Sequence, residues 1–169
     1  MTVRLLASGW ALGVLGILAL AAGHQSLPEH IPLYRVPWTG AALLAPRSIV
    51  SVGRIAAMGL AQLGATTATA ASARGAEGWE RFWGWAAVAA GAKTLAECLG
   101  LFAPPATAAE RVAFVAAAAP VALFLLAAVR WWRREALRAP PRLHGRPALG
   151  LSVALVLWAA SAVAPRFVG

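Results

Sequence analysis

Hydrophobic positions in this chain come in long uncharged runs, not in the short alternating patterns of half-buried soluble elements. After a single early Arg4, residues 5–23 carry no charge. A run of about 18 apolar residues is long enough to cross a bilayer and longer than the apolar part of a usual cleaved leader. Ala19-Leu20-Ala21 has the small-x-small form of a cleavage site, but the length favours a retained first span. Gly9 and Gly13 form a GxxxG pair with Gly16 close behind, which lets two helices approach closely.

Residues 24–46 break this pattern. Pro28, Pro32, Pro37 and Pro46 interrupt any long helix. Ile31, Leu33, Val36 and Leu43 still keep the stretch apolar, so it reads as an irregular outer segment at the headgroup level, with Tyr34 and Trp38 as interfacial aromatics. Residues 49–73 are rich in Ala, Gly and Thr instead of Leu and include Arg54. That composition fits a helix inside a bundle. Its small residues permit close packing, and Thr66, Thr67 and Thr69 can bond back to backbone carbonyls. A short polar turn, 74–81, leads to a third run, 82–103, ended by Pro104-Pro105. Thr107 and Glu110 form a capping box for a fourth run, 111–129, which contains Pro120. The basic segment 130–147 and a last apolar run, 148–164, complete the chain.

Composition agrees with this reading. The 169 residues are 60% hydrophobic and 12% charged, against about 25% charged in a soluble domain. The net charge of +9 does not point to nucleic acid, because the arginines lie between apolar runs, where anionic headgroups explain them better. The abundance of Ala, Arg, Gly and Pro, with almost no Lys and no Asn or Asp, has the look of a GC-rich bacterial genome. Cys98 is the single cysteine, so no internal disulfide forms, and a lone cysteine in an apolar run is a small packing residue.

Charge orders the spans. Six of the fourteen arginines sit in 130–147, and such a loop belongs on the cytoplasmic side. With five spans and a cytoplasmic N-terminus, the inner segments hold Arg4, Arg74, Arg81 and those six, nine in all. The outer segments hold Arg35, Arg47, Arg111 and Arg166, four in all. Four spans would put the six-arginine loop outside. The expected architecture is therefore an all-α, polytopic transmembrane bundle of five spans, N-terminus inside and C-terminus outside, forming one domain. Trp79, Trp83 and Trp85 then fall at the same inner level as Trp131 and Trp132. Within the basic segment, Arg130, Arg133, Arg134 and Arg138 are the candidates for docking anionic lipid headgroups or an acidic partner.

The chemistry in the membrane is concentrated in the third run. Lys93, the only lysine, and Glu97 stand near its middle. A charge at mid-membrane costs on the order of 2.5–3.5 kcal/mol and so finds a protein partner. At helical spacing the two share a face with Ala86, Ala89, Ala90 and Gly100, while Val88, Leu95, Leu99 and Phe102 lie opposite. The expectation is an inward charged face and a lipid-facing bulky one. Lys93 and Glu97 are spaced to pair within the helix. By rise along the helix, Glu97 also lies level with Arg54 of the second span, which predicts a contact between the two.

No metal set is evident. His24, His30 and Glu29 are close in sequence but match no ligand pattern. The chain also lacks paired carboxylates and a nucleophile with its base, so no catalytic residue, cofactor or enzyme activity is expected. Absence of repeats argues against an inverted-repeat transporter. A non-catalytic accessory or scaffold subunit of a bacterial inner-membrane complex, packed against other membrane subunits, is the expected function. A small transporter or channel using Lys93 and Glu97 as an ion or proton site is the alternative. With Cys98 replaced by alanine, a cysteine at position 138 should be shielded from an impermeant maleimide added outside intact cells. A cysteine at position 30 should react. Labelling at both positions from outside rules out the five-span order.

Overall fold

The computed structural model describes residues 2–35, 42–72, 78–103 and 107–138. Four helices dominate: α1 (Thr2–Ala22), α2 (Ile49–Ser72), α3 (Trp79–Gly100) and α4 (Ala108–Arg138). Three of them, α1, α2 and α4, are long and apolar enough to cross a membrane. The Ala- and Gly-rich second run is thus a full helix, although its apolarity is the weakest of the three, at a mean hydropathy of 1.3. Lys93 and Glu97 keep α3 out of that group, yet its 22 residues match the others in length. The fifth apolar run, 148–164, lies outside the described residues.

Contacts between the helices define their directions. The pairs Leu5–Gly84, Gly16–Leu95 and Gly23–Phe102 keep a constant spacing of 79 residues, so α1 and α3 run parallel. Trp10 meets Thr67 and Gly13 meets Leu63, so α2 opposes α1. Gly100 meets Ala113 and Phe82 meets Phe124, so α4 opposes α3. The four helices therefore alternate in direction, and α3 has substantial contact with each of the others.

The α1–α3 contact is the most extensive in the bundle, and glycine makes it possible. A Cβ at Gly9 would lie 2.5 Å from the carbonyl carbon of Ala87, and one at Gly16 would lie 2.7 Å from Leu95 Cα. A Cβ at Gly91 would land on the Gly9 carbonyl oxygen. The GxxxG pair of the first run is thus an interface, reinforced by a glycine from the partner helix. This corrects the expected lipid-facing side of α3. Val88, Leu95 and Phe102 lie against the glycines of α1, and the outward stripe runs instead through Trp85 and Leu99, each about half exposed.

Two small cores close the ends. Leu20, Leu27, Ile31, Cys98 and Leu101 pack together at the C-terminal ends of α1 and α3, which makes Cys98 the packing residue expected. At the other end Ala70, Trp83 and Ala86 cluster with Leu6, Phe82 and Phe124. Trp83 is therefore a core residue, set edge-on to Phe82 at 5.3 Å, and not part of an interfacial belt.

Two further expectations are corrected. The segment after α1 is not irregular: a 3-10 turn at His24–Ser26 leads into an antiparallel hairpin of β1 (His30–Arg35) and β2 (Ala42–Pro46). Its prolines are tolerated because a two-stranded ribbon is all edge, and the register shifts between Pro32 and Tyr34. Ile31 is fully buried and anchors the hairpin to the bundle. Arg47 ties down its base, donating from Nη1 to the carbonyls of Gln25 and Leu27 at 2.7 Å each. In addition, α4 does not end at residue 129 but continues to Arg138, so the first half of the basic segment is helix and not loop. Pro120 lies within it and removes one backbone bond. At the start of α4, the Glu110 amide donates to Thr107 Oγ1, the expected cap. At the start of α3, Gly78 has φ 81°, a left-handed conformation that glycine takes without strain.

Gly91→Leu should destabilise the bundle by about 1–3 kcal/mol or more, the cost of overpacking, read as a fall in thermal midpoint in detergent. Gly64, with nothing within 4 Å of its Cβ position, is the control. Gly64→Ala should leave the midpoint unchanged or raise it, since alanine favours helix by about 1 kcal/mol.

Candidate functional site

The site is built on one stripe of α3. Ala86, Ala90, Lys93 and Glu97 recur at helical spacing and so share a side. Ala86 clusters with Ala70 of α2 and Phe124 of α4, so this stripe runs up the seam between those two helices. Ala90 is fully buried. Farther up, α2 and α4 make little contact with each other, and the seam opens over the charged pair.

Lys93 Nζ donates to Glu97 Oε1 at 2.7 Å. The expected pairing within the helix is therefore formed, in the Lys-before-Glu order that is the weaker one on an isolated helix. Its accessibility departs from expectation. The Lys93 side chain is 20% exposed and that of Glu97 43%, so the carboxylate is not turned into the bundle. It stands in the open part of the seam, three residues before the end of α3, about 4.5 Å along the axis. The physical reason lies in the neighbours. The α1 helix takes the opposite side of α3, where the glycines are, and α4 meets α3 at its two ends through Phe82 and Gly100.

Arg54 is half-buried on α2. Gly59 faces Thr94, and α2 opposes α3, so Arg54 sits level with Leu99. That is about 3 Å in height from Glu97. The two charged residues thus occupy the same level, as the spacing predicts.

The neighbouring hydroxyls are satisfied along their own helices. Thr66 donates to the carbonyls of Gln62 and Leu63, Thr67 to Leu63, Thr69 to Ala65, and Thr94 to Ala90, all between 2.8 and 3.0 Å. The threonines therefore satisfy themselves within the helix and add no free donor near Lys93. Thr67 has a second role that the linear pattern did not reveal: its Oγ1 accepts from Trp10 Nε1 of α1 at 2.8 Å. An indole N–H in an apolar helix needs an acceptor, and an uncharged, threonine-bearing helix was the available source.

No group of three metal-capable side chains occurs among the described residues. His24 in the turn and His30 at the hairpin start lie on separate elements. Of the proposed docking arginines, Arg130 is exposed on α4, and Arg133, Arg134 and Arg138 belong to its last turns.

The fold defines a class: a helical bundle with three helices of membrane-crossing length and apolarity, and an ion pair on a fourth. No family model matches the chain, and no curated protein or solved structure is similar to it.

The ion pair can be weighed by a double-mutant cycle. Glu97→Gln and Lys93→Met should each lower the thermal midpoint in detergent, and the double variant should recover much of the loss. A coupling on the order of 0.5–1 kcal/mol is expected for a partly exposed pair. Additive losses, with no recovery, mean that the two residues do not stabilise each other.

Proposed function

We propose that this chain is a non-catalytic accessory or scaffold subunit of a larger protein complex in a bacterial inner membrane. In that setting it has five spans, with the N-terminus inside, the C-terminus outside and the basic segment on anionic headgroups. One observation carries the reading. Glu97 lies on a helix of membrane-spanning length with its side chain 43% exposed. A carboxylate facing hydrocarbon costs on the order of 2.5–3.5 kcal/mol, so another protein covering it is the economical resolution.

The rest of the surface is consistent with this reading. Only 6% of the span-length window of α4 is buried, and Val112, Leu123 and Leu126 are each more than 60% exposed. Gly53 and Gly64 of α2 face open space, although small residues permit close helix approach. A transport path built on Lys93 and Glu97 gains no comparable support, because Glu97 opens to the outside of the bundle. Extraction of native membranes in mild detergent, followed by native mass spectrometry, tests the proposal. Stoichiometric co-purification with one or more larger membrane subunits is expected. A chain that purifies alone, as monomer or homo-oligomer, overturns it.

A further inference from the structure

We infer that the open seam between α2 and α4 receives a transmembrane helix of another subunit, one that carries a lysine or arginine opposite Glu97. This rests on the accessory-subunit reading and specifies the contact. The seam has a floor of small residues: Ala86 and Ala90 are both buried on α3 below the pair, and their short side chains leave room for a close approach. Its two walls make little contact with each other above that floor.

Charge selects the occupant. Lys93 is 20% exposed and Glu97 43%, so the end of the pair that faces out of the seam is negative. Lys93 Nζ uses one lone pair of Oε1 at 2.7 Å, and a carboxylate has about four acceptor sites in all. A second donor can therefore approach from outside while Lys93 stays in place. In a low-dielectric setting a cationic donor makes a bond roughly twice as strong as a neutral one, and it leaves no acceptor facing hydrocarbon. An anionic lipid headgroup fits this end poorly, because its charge has the same sign.

The test uses the complex as isolated. Lys93→Met with Glu97→Gln removes both charges and should melt close to wild type, so loss of binding in this variant is not loss of fold. At least a tenfold drop in co-purified larger subunit is expected. Glu97→Asp keeps the charge and should retain the subunit. One retained subunit should contain a membrane segment with a lysine or arginine. Changing that residue to glutamate should release the subunit as strongly, and pairing the change with Glu97→Lys should restore binding. Undiminished binding of the double variant, or no restoration by the reciprocal exchange, overturns the contact while leaving the accessory reading intact. So does a bound phospholipid that is present on wild type and lost from the double variant with all subunits retained. A wild-type chain without partners overturns the accessory reading itself.

Discussion

The bundle depends on how closely α1 and α3 approach. Gly9, Gly16 and Gly91 bring two parallel backbones to a separation at which a methyl group would meet carbonyl or Cα atoms. Inside a membrane there is no hydrophobic effect to pull helices together, so van der Waals contact over such smooth surfaces supplies the attraction. That contact also decides orientation. Once α1 covers the side of α3 bearing Val88, Leu95 and Phe102, the stripe bearing Ala86, Lys93 and Glu97 must face elsewhere. It meets α2 and α4 instead, firmly at the lower end and loosely around Glu97.

The polar groups in the helices fall into two kinds. The threonines of α2 and Thr94 of α3 close hydrogen bonds to their own helix and ask nothing of the surroundings. Trp10 and Thr67 use one such hydroxyl twice, joining α1 to α2. The Lys93–Glu97 pair differs, because it is satisfied internally and still open on one side. A pair that served only to set helix packing would gain by burial between helices. An exposed one is better understood as a surface made for another protein.

The outer end shows how apolar residues organise a segment that proline interrupts. Ile31 is buried with Leu20 and Leu27, and Arg47 bonds two carbonyls of the preceding turn. A hairpin results where proline content and lack of periodicity point to irregular chain. The pairing that forms it is between strands, and no linear spacing within residues 24–46 encodes which residue meets which.

What the sequence by itself determined was local. The lengths of the apolar runs set α1, α2 and the apolar part of α4. The Thr107 cap followed from residue type, and the i,i+4 spacing of Lys93 and Glu97 was enough for their bond, because each is decided within one helix. The level of Arg54 with Glu97 also followed, from rise per residue alone. Only the tertiary structure decided which side of α3 each neighbour occupies. Helical periodicity sorts residues into faces but does not say which face meets lipid. The bulky face of Val88 and Leu95 therefore read as lipid-facing until the glycines of α1 were found against it. The same choice moved Trp83 from an expected interfacial position into the core, and left Glu97 in the open seam.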